Sequence, residues 1–227
     1  MTRLFLAVAV LAAQTTAPCA DRSPIPASAR EGIEWCDLWI SHANETNLPR
    51  VLLLGDSIAR DYYPAVEKRL AGRAFVARLS TSAFISDPVL AGEVEMALGS
   101  MKFEVIHFNN GMHGWQHGEE EYAAAFPALV QTLRRCAPSA RLIWANTTAL
   151  KISPTRPGPA EATDARIQAR NVIAGKVVQA EGILVDDLYS LTAGHPELHA
   201  DNVHFNKQGI ALQASQVSAA IQKVLNY

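Results

Sequence analysis

The sequence predicts a three-layer α/β/α domain, a doubly wound, flavodoxin-like sheet of about five parallel strands with helices on both faces. The chain has 227 residues, 49% of them hydrophobic and 19% charged, which suffices for one sizeable core. Short apolar runs alternate with stretches of helical length, and the runs are nearly continuous, as in strands buried on both faces. Polar residues follow several of these runs, as expected where parallel strands end at a binding site.

Each element follows from its hydrophobic pattern and from the residues at its ends. The predicted strands are 51–54, 74–79, 105–108, 142–145 and 183–185, and the predicted helices are 58–71, 88–98, 119–135, 160–180 and 207–224. Pro88 suits a first helical turn, and Asp87 before it is a typical N-cap. Residues 151–159 contain three prolines and a glycine, which predicts an irregular surface loop.

The N-terminal residues have the features of an export signal. Arg3 precedes the apolar run Leu4–Ala13, which is too short to cross a bilayer but suits a signal peptide. We therefore expect residues 1–20 to be cleaved on export to the periplasm or the medium, with no stable membrane insertion. A lipoprotein acylated at Cys19 is a less favoured alternative, because Pro18 stands where a small residue is expected.

The remaining chain is expected to form one domain, with residues 21–49 packed through Trp35 and Trp39 onto the main domain of residues 50–227. Cys36 and Cys136 could form a disulfide after export or remain buried thiols, and the sequence does not decide between the two. The net charge of −2 provides no broad basic surface, so a nucleic-acid partner is not expected.

Polar segments follow the predicted strands and should meet at one edge of the sheet. These segments are 55–57, 80–82, 109–115 and 146–148, with 201–204 shortly before the last helix. Among them, Ser57 could act as a nucleophile if His204 accepts its proton, and Asp201 could orient the imidazole and stabilise its cation. The simpler alternative for Ser57 is an N-cap of the helix that follows it.

These residues resemble the SGNH or GDSL hydrolases. The resemblance is carried by Val51 to Ser57 (VLLLGDS) and by Asp201-x-x-His204 (DNVH), and it spans nearly the whole mature chain. It implies an esterase, acyl hydrolase or carbohydrate deacetylase with Ser57 as nucleophile, His204 as base and Asp201 as its acid. It also implies that no metal or other cofactor is needed.

Two departures from the family concern the oxyanion site. The second block usually presents a glycine, whereas residues 79–83 contain none, so we expect the backbone N–H of Ser82 to donate there, together with that of Ser57. The third block usually reads Gly-x-Asn, whereas here His113 replaces the asparagine. Some members of the superfamily carry this Gly-x-His form, and an imidazole N–H can also donate a hydrogen bond.

Other residues at the strand ends are expected to contact a small-molecule or glycan ester substrate. The candidates are Asp56, Asn109, Asn110, Gly111, Trp115 and Thr147. Trp115 could stack on a sugar ring or could anchor its own loop. A metal site formed by His113, Asp201 and His204 is disfavoured, because the hydrolase interpretation explains the same residues without it.

Two alternatives remain open at this stage. Gly55-Asp56-Ser57-Ile58-Ala59 nearly matches the Gly-x-Ser-x-Gly of α/β-hydrolases, but the last glycine is missing and the serine follows the first strand. A catalytically silent, exported carbohydrate-binding protein would keep the fold without the activity. The favoured interpretation is an exported serine esterase that acts on an acylated carbohydrate.

Overall fold

The computed structural model describes residues 30–151 and 161–226. The predicted signal peptide, Cys19 and most of the proline-rich loop lie outside the described residues. The strands are β1 (Cys36–Ile40), β2 (Arg50–Gly55), β3 (Phe75–Thr81), β4 (Val105–Phe108), β5 (Arg141–Ala145) and β6 (Leu184–Asp186). The helices are α1 (Ser57–Leu70), α2 (Pro88–Ser100), α3 (Glu119–Cys136), α4 (Asp164–Ala180), α5 (Leu188–Thr192) and α6 (Lys207–Leu225), with a 3-10 turn at Pro196–Leu198.

All strands belong to one sheet in the order β1-β3-β2-β4-β5-β6. The five strands β2 to β6 run parallel, which confirms the predicted doubly wound α/β/α fold. The sixth strand, β1, was not predicted as a strand and pairs antiparallel with the edge of β3. Its side chains are exposed or only partly buried, so it lacks the apolar run by which the other strands were found.

The two faces of the sheet pack against separate helical layers. Along β2, Leu52 and Leu54 lie in the core beneath α2, α3 and α4, whereas Val51 and Leu53 lie in the core beneath α1 and α6. Successive side chains of a strand point to opposite faces, so a strand covered on both sides is apolar at every position. This explains the uninterrupted run in β2, all of whose residues are buried.

The helix boundaries reflect local capping. Asp87 caps α2 as predicted, because its carboxylate accepts a hydrogen bond of 2.8 Å from the N–H of Val89. The short helix α5 was not predicted; it is capped by Asp187, whose carboxylate accepts from the N–H of Ser190. Its five residues are too few to show helical periodicity in a sequence.

One of the two tryptophans expected to pack onto the main domain is exposed. Trp39 is 54% exposed and does not pack into the core as expected, because it lies on the outer edge strand over Arg78. Cys36 and Cys136 are both free thiols, but Cys36 is exposed and Cys136 only partly buried, so neither the disulfide nor the pair of buried thiols considered above is present. In the described ranges, no helix combines the length and apolarity required to cross a bilayer.

The order of strands reverses direction at β2, because β3 lies on one side of it and β4 on the other. A crevice forms at such a point at the carboxyl ends of the strands. The turn from β2 into α1 is tight there, since a Cβ added to Gly55 would lie 2.7 Å from the Cβ of Ala59. Glycine at this position therefore allows the start of α1 to approach the sheet.

Glycine-to-alanine substitutions at two positions should have opposite effects on stability. Gly55→Ala should lower the free energy of unfolding by about 1–3 kcal/mol, because the added methyl would lie too close to the methyl of Ala59, which the backbone of α1 holds in place. Gly175→Ala, in the interior of α4 with open space around it, should raise that energy by about 0.5–1 kcal/mol. Urea denaturation of both variants measures the difference, and equal effects would contradict the close approach at Gly55.

Candidate active site

Ser57 occupies the first position of α1, at the carboxyl end of β2. The N-cap of this helix is Asp56, whose carboxylate accepts a hydrogen bond of 2.9 Å from the N–H of Ile58. Ser57 therefore does not serve as the cap, which excludes the simpler role considered for it. Its hydroxyl lies 2.8 Å from Nε2 of His204 instead.

The imidazole of His204 is held from its other side by Asp201. Nδ1 of His204 lies 2.9 Å from one carboxylate oxygen of Asp201. The other oxygen accepts backbone N–H bonds from Val203 at 2.8 Å and from His204 at 2.7 Å. Burial raises the pKa of Asp201, but these backbone bonds and the imidazole outweigh it, and the pKa is lowered overall.

The ionisation of Asp201 determines the tautomer of His204. A carboxylate can only accept hydrogen bonds, so Nδ1 must carry a proton and donate a hydrogen bond to Asp201. Nε2 of the neutral ring is then an acceptor, and the hydroxyl of Ser57 donates to it. The structure thus brings together Ser57, His204 and Asp201, in an arrangement that could remove a proton from the serine.

A short hairpin-like turn before α6 positions the acid and base. The N–H of Ala200 donates to the carbonyl of His204 at 2.9 Å, and His199 forms an isolated β-bridge with Phe205. Asn206 then caps α6 by accepting from two backbone N–H groups. The first turn of α6 therefore starts three residues after the histidine and limits its movement.

His113, predicted as an oxyanion donor, follows β4 and contacts a carboxylate that the sequence did not reveal. Its Nδ1 lies 3.0 Å from both carboxylate oxygens of Glu31, and one of these oxygens also accepts from the N–H of Gly114 at 3.1 Å. Burial lowers the pKa of His113, but Glu31 and, to a smaller extent, Asp56 raise it overall. Nε2 of His113 is buried and has no hydrogen-bond partner among the described residues.

Contacts connect His113 to the helix that bears Ser57. Arg60 lies in the first turn of α1, and its guanidinium is 4.7 Å from the centre of the Trp35 ring. Trp35 in turn makes an edge contact with His113, with ring centres 6.2 Å apart. The parallel pairing of β2 with β4 is the reason that these two strand ends are neighbours.

Four residues of this region were not predicted as site residues: Glu31, Trp35, Arg60 and Asp61. Glu31 and Trp35 belong to the segment that precedes the first predicted strand, and no strand-end rule applies to them. Asp61 lies one turn after Ser57. Burial raises the pKa of its carboxyl, and attraction to His204 and Arg60 offsets part of that increase. Helical spacing from Ser57 could have identified Arg60 and Asp61.

Ser82 does not have the predicted oxyanion role. Its backbone N–H donates to the carbonyl of Trp35 at 3.0 Å, and its hydroxyl donates to Glu34 at 2.7 Å. The unpredicted β1 is the cause, because the residue before that strand continues its pairing with the end of β3. Of the three predicted donors, this leaves His113 and the N–H of Ser57, which lies in the first helical turn and has no intrahelical partner.

Most of the predicted substrate contacts are instead used within the protein. The amide of Asn109 donates to the carbonyl of Ala145 and to the hydroxyl of Thr147, and the amide of Asn110 donates to the carbonyl of Ala83. Asp56, Asn110 and Thr147 are buried, and a Cβ on Gly111 would lie 2.1 Å from the Thr147 hydroxyl. The cavity that Asp56, Asn109 and Thr147 help to line measures only about 10 Å³. These residues therefore connect the strand ends and loops around the site by hydrogen bonds.

Trp115 also lies inside the protein, which corrects its predicted contact with a sugar. It is 9% exposed, and the guanidinium groups of Arg166 and Arg170 lie 5.6 Å and 4.8 Å from its ring. The fully buried Arg170 donates to the carbonyls of Gly111, His113 and Gly114. Trp115 and Arg170 thus hold the loop that carries His113, as the anchoring alternative for Trp115 suggested.

The described part of the chain contains no group of three or more His, Cys, Asp or Glu side chains arranged to hold a metal ion. His113 pairs with Glu31, whereas His204 pairs with Asp201 and Ser57. The three residues considered for a metal site therefore belong to two separate hydrogen-bonded groups.

Replacing Arg170 should destabilise the fold far more than replacing an exposed arginine. Arg170→Met leaves the carbonyls of Gly111 and His113 without this buried donor, and it should lower the free energy of unfolding by about 3 kcal/mol or more. Arg135→Met removes an exposed ion pair with Glu95 and should leave the urea midpoint almost unchanged. Similar midpoints for the two variants would contradict the anchoring role of Arg170.

No family model matches the chain. No curated protein matches it either. Solved structures do match. An acetyl xylan esterase is 18% identical with a TM-score of 0.61, covering 76% of this chain and 99% of its own. A carbohydrate esterase family 3 protein from Talaromyces cellulolyticus is 15% identical with a TM-score of 0.61, covering 79% and 99%.

A GDSL-like lipase from Bacteroides thetaiotaomicron is 16% identical with a TM-score of 0.63, covering 77% of this chain and 88% of its own. The similarity extends over most of each chain. The chain has the fold of the SGNH and GDSL hydrolases.

Proposed function

We propose that the protein is a carboxylic ester hydrolase in which Ser57 is the nucleophile, His204 the general base and Asp201 its orienting acid. The observation that carries this proposal is the pair of hydrogen bonds, 2.8 Å from Ser57 to His204 and 2.9 Å from His204 to Asp201. Both lie within the reach that proton transfer requires. The side chains of His204 and Asp201 are 39% and 42% exposed, so an ester can approach them.

In the first half of the reaction, the Ser57 oxygen attacks the carbonyl carbon of the ester while Nε2 of His204 takes the hydroxyl proton. Asp201 stabilises the imidazolium that forms, because its carboxylate already accepts from Nδ1. The negative charge that develops on the carbonyl oxygen is held by the N–H of Ser57 and by His113. The imidazolium then protonates the leaving alcohol, and the acyl group remains on Ser57.

In the second half, water replaces the alcohol. His204 takes a proton from water as the water oxygen attacks the acyl carbon, and the same oxyanion donors act again. The bond between the acyl carbon and the Ser57 oxygen breaks, and the proton returns from His204 to the serine. The products are a carboxylic acid and the regenerated enzyme, so no cofactor takes part.

We propose a neutral, O-acetylated carbohydrate as the substrate. Trp35 offers a half-buried indole beside His113, to which the apolar face of a sugar ring could bind. The carboxylates of Glu31, Glu34, Asp56, Asp61 and Asp201 act on the site and should repel an anionic substrate. The names of two structural neighbours, an acetyl xylan esterase and a carbohydrate esterase, support this choice. The proposal that the protein acts after export rests on the predicted signal peptide of residues 1–20 alone.

A catalytically silent carbohydrate-binding protein is the second candidate. It is favoured by the hydrogen bond from the Ser82 N–H to Trp35, which removes the donor expected from the second block. An α/β-hydrolase-type esterase is disfavoured, because the acid and base share one turn here. Measurement of hydrolysis distinguishes the first two candidates directly.

Substitution of the three proposed catalytic residues should abolish hydrolysis of p-nitrophenyl acetate. Ser57→Ala and His204→Ala should each lower kcat/KM by about 10³-fold or more. Asp201→Asn should lower it by about 10⁴-fold, because an amide N–H facing Nδ1 favours the tautomer whose Nε2 cannot accept a proton.

Exposed residues of the same types provide the controls. Ser215→Ala on α6 and His195→Ala in its polar loop should retain wild-type rates. Circular dichroism should show every variant folded. If the wild type hydrolyses no ester in a broad panel yet binds an oligosaccharide, the binding-protein alternative is correct and the hydrolase proposal fails.

The carbohydrate part of the proposal is tested at Trp35. Trp35→Leu should raise KM for an acetylated xylo-oligosaccharide by about tenfold, because roughly 1.4 kcal/mol of apolar contact with the sugar is lost. It should change kcat/KM for p-nitrophenyl acetate much less. Trp39→Leu, on the exposed edge strand, is the matched control and should change neither. Equal effects on both substrates would contradict a sugar platform at Trp35.

A further inference from the structure

The pairing of His113 with Glu31 is not needed for a hydrogen-bond donor alone, since a neutral asparagine amide would suffice at that position. The two side chains are partly shielded, with 18% of His113 and 29% of Glu31 exposed. Nδ1 is equidistant from both carboxylate oxygens at 3.0 Å. This geometry determines which form of the ring can donate at Nε2.

We propose that Glu31 is a positioning residue that keeps His113 protonated, so that the oxyanion is stabilised by a charged imidazolium. This inference rests on the proposed esterase function and specifies how its oxyanion site operates. Glu31 contacts no reacting atom and acts through His113.

The tautomer of His113 decides whether Nε2 can donate a hydrogen bond. A neutral His113 that donates from Nδ1 to the Glu31 carboxylate carries a lone pair at Nε2. Such a lone pair would repel a negatively charged oxygen. While Nδ1 donates to Glu31, Nε2 can donate as well only if the ring carries both protons, which the carboxylate favours. A neutral ring with its proton at Nε2 would instead place a lone pair against the carboxylate.

The surroundings of His113 are acidic from several elements. Glu31 and Glu34 face it from the segment before β1, and Asp56 acts on it from the start of α1. Arg170 of α4 donates to the backbone carbonyl of His113, and Arg60 of α1 lies over the Trp35 ring that contacts His113. Burial disfavours the imidazolium, yet the carboxylates outweigh it and the pKa of His113 is raised overall.

The carboxylate of Glu31 is itself held in place. It accepts from the N–H of Gly114, on the same loop as His113, at 3.1 Å. Its pKa is raised by burial but lowered overall by the bonds from His113 and Gly114, so it is ionised at neutral pH. Glu31 and His113 therefore form an ion pair whose free N–H, at Nε2, is buried and has no protein partner in the described ranges.

This assignment requires opposite protonation states at the two histidines of the site. His204 must be neutral to act as base, whereas His113 must be charged to act as donor. The rate should therefore fall at high pH as His113 loses its proton, and the raised pKa of His113 moves that fall to higher pH.

Glu31→Gln should displace the alkaline limb of the kcat/KM profile for p-nitrophenyl acetate to lower pH by about one unit or more. At pH 8 it should lower kcat/KM by about tenfold, because a neutral ring that donates from Nε2 holds the oxyanion less strongly than an imidazolium does. His113→Asn, which supplies a donor without a titratable ring, should remain active and lack this alkaline limb. Glu31→Gln added to His113→Asn should have little further effect.

Glu45→Gln is the matched control, because it removes another His–Glu pair, with His42, near the amino-terminal end of β2. It should leave the profile unchanged. If the wild type is active and depends on Ser57, but the profile of Glu31→Gln superimposes on the wild type, the inference is wrong and the proposed function stands.

A second readout is independent of activity. Side-chain ¹⁵N NMR of the Ser57→Ala protein, with His113 assigned by the His113→Asn variant, should show both ring nitrogens protonated at pH 7. Adding Glu31→Gln should leave one of the two ring nitrogens unprotonated, because the amide does not favour the imidazolium. A neutral His113 in the first protein would overturn the inference. A charged His113 together with a wild type that hydrolyses no ester in a broad panel would instead refute the proposed function.

Discussion

The structure depends on one topological constraint: β2 lies between β3 and β4, and the chain leaves it in opposite directions to reach them. The carboxyl ends of β2 and β4 consequently open onto one crevice, with Ser57 on one side and the His113 loop on the other. The turn before α6 adds His204 and Asp201 from far along the chain. The meeting of these strand ends at one edge follows from strand order before any individual side chain is considered.

Buried polar contacts give the crevice its rigidity. Asp56 caps α1 and leaves the Ser57 hydroxyl available for His204, and Arg170 binds three carbonyls of the loop that presents His113. Thr147 and Trp115, which hold the loops in place, follow the same strand ends as the proposed catalytic residues. Position at the sheet edge therefore indicates proximity to the site, and hydrogen-bond partners are needed to determine the role.

The sequence predicts the five parallel strands because each is apolar along its length, and it predicts α1 to α4 and α6 because they have periodic patterns or clear caps. It does not predict β1, whose side chains are only partly buried, or α5, which is too short. The error at Ser82 follows from the missing β1, which uses its N–H. Glu31 and Trp35 could not be identified for the same reason, since only tertiary contacts bring their segment to His113.

The central claim is that His204 and Asp201 make Ser57 an activated nucleophile. Incubation with diisopropyl fluorophosphate, followed by peptide mapping by mass spectrometry, tests it without any assumption about the substrate. The account predicts one phosphoryl adduct, on Ser57, and none after His204→Ala in the folded protein. An unmodified wild type, or an adduct on another serine while Ser57 stays free, would contradict it.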